Sequence, residues 1–241
     1  MKRKIALIGT VLLLTAVMAC VFVGCDIFMF IEGQNDEKFN DFYFSTSGKN
    51  YIITGLKDSG VTDVDIPEGV VSIGAGAFKN TGIVDVSLPE GVVNIGENAF
   101  EHCSKLTVIS IPSSLIAIEN SAFKGCSALS SITLSANVKT IGESAFERCS
   151  ALTGIIIPDK VTSISSNTFS GCGALVTVNL PAGITFIGGN AFAYCYSLQT
   201  INFGGTMAQW NAMTRANGWK EVESNFSIVC LDGVLEAYMV V

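Results

Sequence analysis

Phe78, Phe100, Phe123, Phe146, Phe169 and Phe192 recur along the 241-residue chain with gaps of 22, 23, 23, 23 and 23 residues. Isoleucines keep step five residues earlier, at Ile73, Ile95, Ile118, Ile141, Ile164 and Ile187, and Gly74, Gly96, Gly142 and Gly188 follow four of them. Cys103, Cys126, Cys149, Cys172 and Cys195 are all 23 apart. A fixed period of this length means stacked supersecondary units, each burying its apolar side against the next. In outline one unit reads P-x-x-V-x-x-I-G-x-x-A-F-x-x-C-x-x-L-x-x-I-x-L.

The last part of the unit, L-x-x-I-x-L, occurs seven times, from Val61-Val64-Ile66 through Leu129-Ile132-Leu134 to Leu198-Ile201-Phe203. Its I-x-L pair has strand period, with two apolar residues on one side and a polar residue between them on the other. Pro67, Pro89, Pro112, Pro158 and Pro181 end the strands, because proline cannot continue a ladder. About 18 residues separate successive strands and the pattern never inverts, so hairpins are excluded. The strands must stack in parallel as rungs of a repeat solenoid. The phenylalanine and isoleucine columns then form one continuous core, and burying each phenylalanine is worth about 1.5–3 kcal/mol. The five column thiols are expected to be reduced and buried, acting as small hydrophobes.

L-x-x-I-x-L joined to I-G-x-x-A-F-x-x-C resembles the leucine-rich repeats of the BspA-like group, found in bacterial surface proteins. The resemblance covers roughly Val61 to Phe203, and the tail from Gly204 to Gly233 is similar to the segment that closes such arrays. It implies a right-handed leucine-rich-repeat arc of about six to seven 23-residue units with a parallel β-sheet on the concave face, and roles in adhesion to host tissue, matrix or other cells. Two departures stand out. The first unit lacks its cysteine, having Asn80-Thr81-Gly82 with one residue deleted, and Ser135 stands where other units carry proline.

The exposed strand positions of the inner curve, where such folds bind, are expected to be the functional surface. They comprise Asp63, Asp65 and Asp85 at the N-terminal end, then Ser110, Ser131, Thr133, Ile156, Thr177, Asn179, Thr200 and Asn202. Small hydroxyls and amides of this kind offer many weak hydrogen bonds to an extended protein or glycan partner. No aromatic anchor of the sort that dominates binding hot spots lies among them.

Catalysis is hard to build from this inventory. The single histidine, His102, sits beside Cys103, and a Cys–His pair can make a nucleophile. Adjacent residues in a turn point apart, however, and Cys103 belongs to the inward column, so no catalytic residue is assigned. Cysteines 23 residues apart are not the close pairs of a zinc site. Asp63, Asp65 and Asp85 could offer oxygen ligands to Ca²⁺, with a plain acidic patch as the simpler reading; no metal or cofactor is assigned. The formal charge of −7, with no basic cluster, makes nucleic acid a poor partner.

Lys2, Arg3 and Lys4 precede an uncharged apolar run from Ile5 to Gly24, the pattern of an export signal. Gly24-Cys25 resembles the end of a bacterial lipoprotein signal, which implies cleavage after residue 24 and lipidation of Cys25. Cys20 after Ala19 is a second site, but cleavage there would leave an apolar stub from Val21 to Ile31. An uncleaved membrane-spanning helix is the remaining alternative. Loss of three positive charges with the leader would take the net charge from −7 to −10.

The expected organisation is a signal peptide over 1–24, an acidic tether over 25–38, an N-terminal cap over 39–60, repeats over 61–205 and a C-terminal cap over 206–241. In that last cap Thr206 can start a short helix through about Arg215. Phe226 to Leu231, Asp232-Gly233 and Val234 to Tyr238 read as a β-hairpin with a two-residue turn. The chain is therefore expected to be a surface-exposed lipoprotein of the bacterial envelope, held to the membrane by its N-terminal lipid. A self-assembling envelope scaffold is the competing reading.

Overall fold

The computed structural model describes residues 39–220 and 225–235, so the leader and tether lie outside the described residues. The chain winds into a β-solenoid of about eight turns, each with three sides. The first side carries the I-x-L strands: Asp63–Asp65, Asp85–Ser87, Val108–Ser110, Gly154–Ile156, Thr177–Leu180 and Thr200–Phe203, paired in parallel with Val64, Val86 and Ile109, and then Ile155, Val178 and Ile201, in register. An eighth rung, Ser227–Cys230, pairs in parallel with Thr200–Phe203.

The isoleucine column does more than fill the core. Val70–Ile73, Asn94–Ile95, Ala117–Ile118 and Thr140–Ile141, then Ser163–Ile164, Phe186–Ile187 and Thr214–Arg215, form a second parallel ladder. Rungs pass so closely here that a Cβ on Gly74 would stand 2.7 Å from the Ile53 carbonyl oxygen, and one on Gly142 2.5 Å from the Asn120 nitrogen. Hence the glycine after the isoleucine.

The third side carries the A-F-x-x-C turns. Backbone N–H groups at alternate residues all donate to the next rung, as in Asn98 to Asn120 (2.9 Å), Phe100 to Ala122 (2.7 Å) and His102 to Lys124 (2.7 Å). This one-way ladder needs left-handed backbone two residues before and two after each phenylalanine. Those places hold Gly76 and Asn80, Asn98 and His102, Ser121 and Gly125, Ser144 and Arg148, Asn167 and Gly171, and Asn190 and Tyr194, all at positive φ. Asparagine and glycine are favoured there because they tolerate that region best.

Inside, the six phenylalanine rings stack with centroids 5.1–5.7 Å apart and planes within 14°. All six are buried. Each column thiol donates to the phenylalanine carbonyl of the preceding rung: Cys103 to Phe78 (2.9 Å), Cys126 to Phe100 (3.1 Å), Cys149 to Phe123 (3.2 Å), Cys172 to Phe146 (3.1 Å) and Cys195 to Phe169 (3.1 Å). In the first unit Thr81 takes the cysteine's place and donates to Phe78 at 2.7 Å. The cysteines are therefore oriented donors as well as small hydrophobes.

Both ends are lidded. Phe42–Ser47 and Asn50–Leu56 form an antiparallel hairpin whose second strand extends the second ladder through Val70–Ile73. At the other end Trp219 meets Phe192 edge-on at 6.1 Å and ends the stack, packed with Trp210 and Phe226. The helix Met207–Ala212 is capped by Thr206 and Gln209 as a capping box. It stops short of Arg215, because Thr214–Arg215 is drawn into the second ladder. In the final hairpin Cys230 pairs with Gly233, so the turn is Leu231-Asp232, one residue earlier than the sequence suggests.

The stack has one seam. Residues 131–133, expected as a strand, form none, and no backbone hydrogen bond joins 131–134 to a neighbouring rung. Beside them Thr153 reaches the Ser130 carbonyl with its N–H at 3.1 Å and with its hydroxyl at 3.3 Å. The second ladder breaks at the same level, between Thr140–Ile141 and Ser163–Ile164. There the Ser165 hydroxyl reaches the Ile141 carbonyl (2.9 Å), where other rungs use a backbone N–H. Ser135 at the strand end lacks the preset φ of proline. The turn-side ladder crosses the seam intact, with Ser144 to Ser166 (3.0 Å), Phe146 to Thr168 (2.9 Å) and Arg148 to Ser170 (2.7 Å).

Two expectations follow. Native hydrogen exchange should find the Ile132 and Leu134 amides exchanging at least about tenfold faster than those of Val86, Ile155 and Val178; equal protection would refute the seam. Burial pushes the thiol pKa values of Cys103, Cys126, Cys149 and Cys172 upward from the ordinary 9.0. The folded state thus keeps protons that the unfolded state releases above about pH 9. Their contribution is whole below that pH and falls above it by about 1.4 kcal/mol per pH unit for each thiol. Urea melts from pH 8 to 10 check this, and a Cys126→Ala variant should lose part of the slope.

Candidate binding face

Parallel pairing in register turns the outward residues of the first ladder into two files along the solenoid axis. One file carries Asp63, Asp85 and Val108, then Gly154, Thr177, Thr200 and Ser227. The other carries Asp65, Ser87 and Ser110, then Ile156, Asn179, Asn202 and Val229. The alternation of I-x-L sends the central residue inward and its neighbours outward. Ser131 and Thr133 are exposed as well, but they stand in the unpaired rung, so the files are interrupted between Ser110 and Ile156.

Two regions differ in character. Toward the N-terminal end Asp63, Asp65, Asp85 and Ser110 are exposed, and the three aspartates carry the negative charge of the face. Toward the C-terminal end Thr177, Asn179, Thr200 and Asn202 are half-buried, and Asn202 Nδ2 donates to Asn179 Oδ1 at 2.8 Å. Such side-chain ladders stiffen a sheet face and fix which amide hydrogens point outward. Between the regions Ile156 is 69% exposed, flanked by shallow depressions of about 440 and 370 Å³ lined by Leu134, Pro158, Thr133 and Asn179 among others. Ile156 and Val108, 49% exposed, are the large apolar side chains that the face leaves in water.

Sequence reasoning missed Ser227 and Val229. The final turn runs 27 residues from Thr200 to Ser227, so the 23-residue phase is lost. The alternation in Ser227–Cys230 was the available signal, and it reads equally as a lone hairpin strand.

Of the residues considered for chemistry, Cys103 and His102 are not brought together. Cys103 is buried against Phe78 and Thr81, whereas His102 is half exposed with Nε2 3.6 Å from Glu101. Among the described residues no group of three or more His, Cys, Asp and Glu is placed to hold a metal ion. No helix among them is long and apolar enough to cross a membrane.

A family model described as the BspA type leucine-rich repeat region matches in six copies, over residues 56–172 and 94–217. The chain belongs to the BspA-type leucine-rich repeat family. Proteins of this type are typically bacterial surface proteins and generally serve protein interaction; their repeats are generally non-enzymatic scaffolds. A leucine-rich repeat protein of T. pallidum is 30% identical with a TM-score of 0.64, the match covering 68% of this chain and 83% of that one.

A leucine-rich cell surface protein of Faecalibacterium prausnitzii is 27% identical with a TM-score of 0.50, over 73% of this chain and 41% of that one. The pneumococcal vaccine antigen PcpA shares the fold at 20% identity and a TM-score of 0.57, over 79% of this chain and 48% of that one. This chain therefore spans less than half of the latter two. No curated protein matches it.

With Asp63 and Asp85 side by side on a solvated face and no third ligand converging on them, millimolar Ca²⁺ should leave the melting temperature unchanged within error. A rise that saturates with Ca²⁺ would overturn the plain acidic patch.

Proposed function

We propose that this BspA-type repeat protein is anchored to the bacterial membrane through a lipid on Cys25 and presents its solenoid outside the cell, where the exposed face of the first ladder binds a protein or glycan partner in adhesion. The observation that carries the reading is the pair of outward files, small and polar over most of their length. A rigid lattice of hydroxyls and amides at rung spacing, about 4.8 Å, matches an extended partner that can repeat its own donors and acceptors. Exposed Ile156, amid shallow depressions, supplies an apolar contact near the middle of that lattice. The apolar run before Cys25 supports the anchor, and the cell-surface relative of Faecalibacterium prausnitzii supports the location.

Three measurements test it. Cys25→Ser should release the protein from the membrane fraction. Protease added to intact cells should remove the repeat body; protection would exclude adhesion. Solid-phase binding to host matrix proteins, epithelial glycans and bacterial surfaces should be saturable, and an Ile156→Lys/Asn179→Lys variant should weaken it about tenfold or more without lowering the melting temperature. Absence of saturable binding to all of them would sink the reading. Sedimentation of the delipidated body as a stable oligomer would favour an envelope scaffold instead.

A further inference from the structure

The turn side holds a feature that the stack does not require. Two residues after each phenylalanine the rungs carry Asn80, His102, Gly125, Arg148, Gly171 and Tyr194, and two residues further on Ser104, Ser127, Ser150, Gly173 and Tyr196. Only the last of these rungs places aromatic rings at both positions. Cys195 between them points inward, its thiol on the Phe169 carbonyl at 3.1 Å, which turns both neighbours out. Tyr194 is 55% and Tyr196 78% exposed, with ring centroids 6.2 Å apart at 64°.

Beside the two rings the preceding rung is bare. A Cβ on Gly173 would meet nothing within 4 Å, and one on Gly171 would meet only Arg148, at 3.2 Å from its Cγ. The turn ladder sets Arg148 one rung before that floor and Tyr194 one rung after it, through Arg148 N–H to Ser170 and Gly171 N–H to Ala193. Rungs are 5.6–5.7 Å apart here, as measured by the phenylalanine rings. The Arg148 side chain is 71% exposed, with Nε 3.7 Å from Glu147 Oε1. The result is a shelf with an aromatic wall, a glycine floor and a guanidinium edge.

We propose that this shelf on the turn side is a saccharide site, in which a pyranose ring of a glycan lies on the glycine floor against Tyr196. The C–H face of a pyranose carries partial positive charge and packs on the negative face of an aromatic ring. Its hydroxyl rim takes hydrogen bonds from the guanidinium fork and the tyrosine hydroxyls. An extended peptide fits poorly, because the floor has no backbone groups to share. Gly171 N–H is taken by Ala193, Gly173 N–H by Gly171, and the Gly173 carbonyl by Ser197. The site lies on a different side from the first-ladder face and does not depend on partner binding there.

Saturation-transfer NMR with the full chain in detergent, using the methyl glycosides of glucose, galactose and N-acetylglucosamine, tests this. At least one should receive saturation on its ring protons. Tyr196→Ser, which restores the residue type of Ser104, Ser127 and Ser150, should reduce the transfer about fivefold or more at an unchanged melting temperature. Gly173→Leu, filling the floor, should abolish it. The Ile156→Lys/Asn179→Lys variant should leave it intact. No transfer to any of the three glycosides, transfer that survives Tyr196→Ser in a folded protein, or transfer lost in the first-ladder variant would each overturn the proposal.

Discussion

The whole stack hangs on the one-way hydrogen-bond ladder of the turn side and the phenylalanine column beneath it. Three N–H groups per rung point the same way, so each rung is set by the next and passes its placement on. Phenylalanine is suited to the column because a flat ring of uniform size stacks at the spacing these bonds impose; the observed 5.1–5.7 Å matches one rung per ring. Neither the first nor the second ladder has this continuity. Both are interrupted at the same level, while the turn side is not.

That division of labour has consequences for the surface. The core side of every rung repeats, and the outward side is free to vary, so binding chemistry can be placed on any side without disturbing the stack. The polar files of the first ladder and the aromatic shelf of the turn side are two such placements. Salt bridges on the turn side, Lys79 with Glu101 at 2.6 Å and Lys124 with Glu147 at 2.8 Å, tie neighbouring rungs. Burial opposes ionisation of Glu147. Hydrogen bonds from Lys124 and Ser144, with the charges of Lys124 and Arg148, outweigh it and hold the carboxyl below its ordinary value.

The interruption shows how a repeat tolerates a local fault. Ile132 and Leu134 keep the strand pattern, yet residues 131–133 do not pair. Pattern places side chains in or out; pairing also depends on the backbone of the neighbouring rung, and proline at the strand end is not required for it, since Thr200–Phe203 pairs on both sides with Gly204 at that place. Ile132 remains buried within the continuous core, so the core closes over a gap in the hydrogen bonding. Stability in such arrays is a sum of nearest-neighbour terms, and one weakened term leaves the others standing.

Reading the period alone was enough to establish the solenoid, the inward phenylalanine, isoleucine and cysteine columns, and the family, because side-chain period and burial are properties of sequence. It was also enough to name the outward residues of the first ladder, since alternation decides which way a strand residue faces. Tertiary structure alone decided the rest. It made the isoleucine segment a second ladder, gave each thiol a carbonyl to bond, carried the first ladder on to Ser227–Cys230 and opened it at 131–133. The physical reason is that backbone pairing depends on the neighbouring rung, which a single unit of sequence does not contain. Two exposed tyrosines next to two glycines become a shelf only when 23 residues of chain bring one rung beside another.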